Sequence, residues 1–128
     1  MSILFITAEV APFSKAGGLA DVSEALPAEL AKMGEHLIII TPLYSTIDCQ
    51  KYGIYPTGIQ NQVMVGNTSY KYHIYESHQY DDPNRRIWFV QNEHYFNRSG
   101  IYTDEDGVGF DDNNERFIFF QLCIIDLL

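Results

Sequence analysis

The chain has 128 residues, enough for one small domain, and 46% of them are hydrophobic, enough to supply a core. Eight Lys and Arg against 17 Asp and Glu give a formal net charge of −9. That sign repels phosphate backbones and anionic lipid headgroups, so it argues against nucleic acid and membrane surfaces as partners; an anionic ligand would need a cation placed beside it.

The first run, SILFITAEV (2–10), begins continuously apolar, which predicts a strand buried on both faces. It is too short to span a membrane or to serve as a signal-peptide core, and no basic residue precedes it. Residues 9–18 hold Pro12, Gly17 and Gly18 and read as a loop. Leu19, Val22, Leu26, Leu30 and Met33 then recur at helical spacing, with Gly34 as the stop. Pro27 falls inside that helix and predicts a kink, at a cost of about 3 kcal/mol if nothing compensates. HLIIITP (36–42) reads as a second buried strand, so strand, glycine loop, helix and strand make a βαβ unit, the building block of a parallel sheet.

Further on, 62–66 and 69–77 suggest a hairpin across Gly66-Asn67, and YKYHIYE alternates so that one face is aromatic. RIWFVQ (86–91) is another apolar strand. The acidic loop TDEDGVGFDD follows, and then a helix to the end, where Asp112 and Glu115 have the spacing of a capping box. After Arg116 that helix is apolar on nearly every side, FIFFQLCIIDLL, which predicts burial on all sides. Asp126 sits at the unfavourable negative end of the helix dipole. The expectation is that residues 1–128 are part of a longer protein, whose remainder covers this helix and continues the sheet.

The loop behind the first strand carries the clearest chemistry. Glycines let a ligand approach the backbone, the first amides of a helix point outward unpaired, and the helix dipole adds partial positive charge. Lys15 adds a full charge. Together they predict an anion site, for phosphate or pyrophosphate. The pattern is neither G-x-x-x-x-G-K-[ST] nor G-x-G-x-x-G, which disfavours a P-loop NTPase and a dinucleotide fold. On spacing alone, a tight turn with a solvated lysine weighs as much as a ligand site. The acidic loop fails the calcium-loop template, because no third spaced carboxylate precedes its Gly. Cys49 and Cys123 fit no metal or redox spacing; they read as reduced and buried, which suits the cytoplasm. No histidine has the spacing of a triad or a metal site.

The stretch AEVAPFSKAGGLADVSEALPAELAKMGE strongly resembles the N-terminus of bacterial glycogen synthases and plant starch synthases, whose hallmark is Lys-x-Gly-Gly-Leu-Ala-Asp-Val. HLIIITPLY is similar to the family's second strand. YFNRSGIYTDEDGVGFDDNNERFIFF resembles its aromatic-Arg-Gly-Tyr loop and its Asp-Asn-x-x-Arg-Phe helix start. Residues 45–85 match in general character only. The resemblance implies an α/β fold, a Rossmann-like parallel-sheet lobe that is the first part of the N-terminal lobe of a GT-B glycosyltransferase. It implies transfer of glucose from ADP-glucose, or UDP-glucose in some members, to the non-reducing end of an α-1,4-glucan with retention, and no metal or other cofactor at the reaction centre.

By the same resemblance Lys15 contacts the donor's phosphates, and Gly17 and Gly18 admit phosphate or sugar to the backbone, while also being read as a positive-φ turn. Asp21 has two readings, a ligand to hydroxyls or a first-turn carboxylate that stabilises the helix dipole by ~0.3–1 kcal/mol. Tyr95, with Phe96 beside it, either stacks on substrate or packs, and packing is the stronger of the two. Glu9 reads as an exposed or capping residue, with a place at the cleft as the alternative. The family's remaining active-site residues, in its second lobe, lie past residue 128, so this segment alone is expected to be inactive. Two other readings compete: a non-catalytic glucan- or phosphate-binding module of the same fold, and another sugar-nucleotide enzyme with a Rossmann-like lobe. An epimerase is disfavoured because its Tyr-x-x-x-Lys pair is missing.

Overall fold

The computed structural model describes residues 2–128. Its elements run β1 (Ser2–Ile6), α1 (Gly18–Lys32), β2 (His36–Pro42), β3 (Ile54–Val65), β4 (Thr68–Ser77), β5 (Arg85–Gln91), α2 (Glu93–Phe96) and α3 (Asn113–Leu127). One five-stranded sheet has the order β1-β2-β5-β4-β3. The first three strands are parallel, with Leu4 opposite Ile38 and Ile39 opposite Ile87. The predicted hairpin joins them antiparallel: β4 pairs with β5, and β3 forms the far edge. Its turn is the expected Gly66-Asn67, with Gly66 at φ 62 and Val65 paired to Thr68. β3 begins earlier than the pattern suggested and carries Pro56 and a register shift between Pro56 and Gln60, features an edge strand tolerates. The fold is therefore α/β with a mixed sheet, parallel where it carries the βαβ unit.

α1 runs through Pro27 as one helix, and Pro27 is buried. Its end matches the expectation: the Gly34 amide donates to Ala31 O and that of Glu35 to Leu30 O, with Gly34 at φ 95, a Schellman closure. The face it buries does not. Leu19, Val22, Leu26 and Met33 are all exposed, whereas Ala20, Ser23, Pro27 and Ala31 are buried. α1 lies over β2 and β5 through its small residues, which lets the helix approach closely and turns the large aliphatic stripe outward. A buried hydroxyl pair fixes that approach: Thr7 Oγ1 and Ser23 Oγ lie 2.8 Å apart, and Thr7 donates onward to Glu9 O at 2.9 Å. β1, at the sheet edge, is not buried on both faces; Leu4 and Ile6 are exposed.

Within the described residues α3 packs through one side. It buries Arg116, Phe119, Phe120, Cys123 and Ile124, a single i, i+3, i+4, i+7, i+8 stripe, and leaves Ile118 and Ile125 exposed. Its N-terminus lacks the predicted capping box. Both Asp112 oxygens are taken by Arg98, at 2.9 and 2.8 Å, and Glu115 accepts instead from the Tyr95 hydroxyl at 2.8 Å. The core is aromatic around this stripe, with Tyr95 tilted on Phe119 (4.8 Å between ring centroids) and Phe96 against both Phe119 and Phe120. Cys123 is buried as expected, but Cys49 is only half-buried; both are free thiols. Among the described residues no helix is long and apolar enough to cross a membrane.

The packing of α1 gives a test. Ala20→Leu, at a fully buried small position, is expected to destabilise the chain by about 1–3 kcal/mol through overpacking. Val22→Ala, on the exposed stripe, should change stability by less than about 0.5 kcal/mol. Urea denaturation followed by circular dichroism measures both, and a larger loss for Val22→Ala would contradict the assigned face.

Candidate functional site

The parallel strands β1, β2 and β5 all end on the same side of the sheet, where open α/β sheets bind ligands. The loop from Thr7 to Gly17 rises there. Val10 and Ser14 close it locally: the Ser14 amide donates to Val10 O at 2.9 Å and the Val10 amide to Ser14 Oγ at 3.2 Å. The Ala11 amide reaches Ala20 O at 3.1 Å and ties the loop to the first turn of α1.

Glu9 organises the rest: of its expected readings the capping one holds, through amides at the start of α1. It is buried, 2% exposed, not an exposed residue. One carboxylate oxygen accepts from three backbone amides, Ala16 at 3.2 Å, Gly17 at 2.8 Å and Ala20 at 3.2 Å. Burial works to raise its pKa. The neighbouring Tyr102 hydroxyl and the amides of Gly17, Ala16 and Ala20 outweigh that and hold the carboxyl below the usual carboxylate range. Part of the helix N-terminus that the sequence suggested for a ligand is thus filled by the protein's own carboxylate. Among the described residues, the amides of Gly18 and Leu19 carry no partner and remain available.

Lys15 and Asp21 face each other across the loop. The ammonium donates to both Asp21 oxygens at 2.9 Å, with the side chains 56% and 59% exposed. A pair that open to water is worth little and exchanges readily for another anion. The glycines differ from the positive-φ turn expected of them. Gly17 is extended, at φ −161, and Gly18 is the first helical residue. A Cβ on either would meet no atom within 4 Å. Their backbone does not demand glycine; what they leave is open space against the amides.

A cleft of about 480 Å³ runs beside this loop. Phe13 to Ala16 form one wall, and Gly100, Ile101, Tyr102 and Thr103 form the other, with Thr46 between them. The second wall comes from far along the chain, and sequence reasoning missed it. Tyr102 lay within a recognised segment, but nothing in its spacing indicated that it stands beside Glu9. The Tyr102 hydroxyl is pushed up by burial and by its carboxylate neighbour.

Tyr95 takes the packing reading, and the alternative of stacking on substrate is corrected: it is fully buried, tilted against Tyr70 and Phe119 and edge-on to His94, with its hydroxyl on Glu115. Phe96 is buried as well. His94, Asp112 and Glu115 bring ligand-type atoms within 4.8 Å of one another. Their carboxylates are already engaged by Arg98 and Tyr95, so the group is a hydrogen-bonded brace between α2 and α3.

A sheet with a parallel core, a glycine loop with an exposed lysine behind its first strand and a cleft at the strand ends define an α/β lobe with an opening where such sheets take ligands. The comparisons make this specific. The family model described as the starch synthase catalytic domain matches residues 2–128. A glycogen synthase from Geotalea daltonii is 38% identical over 128 residues, covering 100% of this chain and 26% of that protein. One from Streptococcus agalactiae is 36% identical over 135 residues, covering 100% of this chain and 25% of its own length. In structure, the catalytic domain of starch synthase IV from Arabidopsis thaliana, bound to ADP and acarbose, superposes with a TM-score of 0.79 at 25% identity, over 98% of this chain and 24% of that one. The chain belongs to the starch synthase catalytic domain family, of GT-B fold. It spans about a quarter of the length of the curated relatives it matches.

Two outcomes follow from the loop geometry. Gly18→Ala is expected to leave the thermal midpoint unchanged or slightly raised, since the added methyl meets only open space and alanine favours the helix; a drop of several degrees would show that the glycine is needed by the fold itself. Because Glu9 is ionised more readily in the folded chain than in the unfolded one, its contribution is full above the ordinary carboxylate pKa and is lost as pH falls through its lowered value. On acidifying from about pH 6 to about pH 3, the native chain should therefore lose more stability than Glu9→Gln, whose amide does not titrate there. Parallel urea-unfolding profiles would contradict this.

Proposed function

We propose that residues 1–128 form the first part of the N-terminal lobe of a glucosyltransferase that moves glucose from ADP-glucose to the non-reducing end of an α-1,4-glucan, with retention. The observation that carries the reading is the loop. In a chain of net charge −9, an exposed ammonium lines a cleft, and two unpartnered amides open the helix that follows it. The names of the relatives, glycogen synthases, support the reaction class. The ADP and acarbose bound to the Arabidopsis domain support a nucleotide donor and a glucan acceptor.

The roles follow from charge. Lys15 exchanges Asp21 for the donor's diphosphate and neutralises the charge that builds on it as the glycosidic bond breaks. The amides of Gly18 and Leu19 take a phosphate or sugar oxygen, and Gly17 and Gly18 keep the approach clear. Asp21, once released by Lys15, is free to accept from sugar hydroxyls. No metal or other cofactor is needed in this scheme, because the cation is supplied by Lys15 and the helix start. The remaining groups belong to a second lobe, so residues 1–128 alone are expected not to turn over. A reducing compartment such as the cytoplasm suits the two free thiols.

A chimera that joins residues 1–128 to the remainder of the Geotalea daltonii enzyme tests the reading. Lys15→Ala in that chimera should lower kcat/KM for ADP-glucose by about 100-fold or more, the scale of losing one preorganised charge-stabilising donor. Unchanged use of ADP-glucose would overturn the role of Lys15. ADP release from glycogen and ADP-glucose by the 128-residue chain alone would contradict its assignment as a partial site.

A further inference from the structure

We infer that Arg116 is a positioning residue of the donor cleft, whose buried guanidinium sets the gap between the Lys15 loop and the Gly100–Thr103 wall. The inference rests on the donor reading above and extends it to a residue that touches no ligand.

Arg116 is fully buried, yet no carboxylate bonds to it. Its Nε donates to Tyr95 O at 2.7 Å, and one Nη donates to Ile101 O at 2.7 Å and to Asn113 Oδ1 at 2.8 Å. The other Nη is buried without a partner. A buried charge with an unmet donor is costly, and an apolar side chain of similar volume usually serves packing as well or better. What an apolar residue cannot do is hold two carbonyls in a fixed fork. These carbonyls, at residues 95 and 101, lie at the two ends of the segment that leads into the cleft wall. Ile101 is itself part of that wall.

The wall is a tight turn. A Cβ at Gly100 would lie 2.3 Å from Thr103 O, so the turn from 100 to 103 is closed tightly on itself. On the loop side, the Arg116 guanidinium lies 5.8 Å from the Phe96 ring centroid. Phe96 packs edge-on against Tyr44 (5.7 Å, 82°), and the Tyr44 hydroxyl donates to Ala8 O at 2.6 Å, one residue before Glu9. One guanidinium thus fixes the far wall directly and lies against the aromatic pair that holds the start of the loop at Ala8. Lysine offers a point charge in place of the fork and cannot hold both carbonyls in register.

Two probes separate positioning from folding. On the donor reading, pyrophosphate would engage the Lys15 loop alone, whereas the larger ADP-glucose would span the cleft to its far wall. The experiment titrates each into the full chain and into Arg116→Lys, following the amide resonances of Gly18 and Leu19, with the thermal midpoint recorded alongside. The expected result for Arg116→Lys is a rise of about five-fold or more in Kd for ADP-glucose, with pyrophosphate binding within about two-fold of the native chain. Equal ADP-glucose affinity overturns the inference. So does a parallel loss of both probes, which is what mere loss of structure would produce. If Arg116→Lys does not fold, Gly100→Ala, which displaces the wall at Thr103, must give the same split between the probes, and absence of the split overturns the inference. Lys15→Ala is the separate arm for the donor reading: it should lose pyrophosphate, and if it does not, that reading fails independently of Arg116. A native chain that binds neither probe overturns both.

Discussion

One carboxylate oxygen holds the site together. Glu9 accepts from the amides of Ala16, Gly17 and Ala20, and those bonds turn an eleven-residue connection into a fixed cradle. Three amides pointing into a buried space would be costly unless paired, and a buried carboxylate would be costly unless stabilised; each offsets the other. The result selects which part of the helix N-terminus faces outward. Glu9 takes the amides of Ala16, Gly17 and Ala20, and those of Gly18 and Leu19 are left without a partner.

On the proposed donor reading, that division gives an acidic chain a local place for an anion. Overall charge opposes it, but the approach is governed by the local arrangement: an exposed ammonium, two free amides and a helix dipole, with Asp21 as a weak exposed counterion. The opposing wall reaches its place through a different set of bonds. Arg98 grips Asp112, Arg116 grips two backbone carbonyls, and Glu115 receives the Tyr95 hydroxyl. Side chains at the start of α3 that suggested helix capping are spent instead on the segment from Tyr95 to Thr103.

The two helices show where periodicity stops being informative. In α1 the large aliphatic residues recur at helical spacing, yet Ala20, Ser23, Pro27 and Ala31 face the sheet, because a short connection brings the helix axis close and only small side chains fit beneath it. In α3 nearly every residue is apolar, and the buried side is chosen by where Arg116 and the aromatic core sit. A pattern of apolar residues specifies that a helix has a sticky face; it does not say which neighbour arrives first.

By itself the sequence determined the local elements and the chemistry on offer. The apolar runs placed β1, β2 and β5, Gly66-Asn67 placed the hairpin, Gly34 placed the end of α1, and Lys15 with two glycines marked the loop proposed for the donor, because strand burial, turn φ and helix termination act over a few neighbouring residues. Only the tertiary structure decided that Glu9 is buried within that loop, that Tyr95 belongs to the core, and that residues 100–103 complete the cleft. Those outcomes depend on bonds between groups far apart in the chain, Glu9 beside Tyr102 and Arg116 to Ile101, and no local pattern encodes which distant partner will satisfy a buried polar atom.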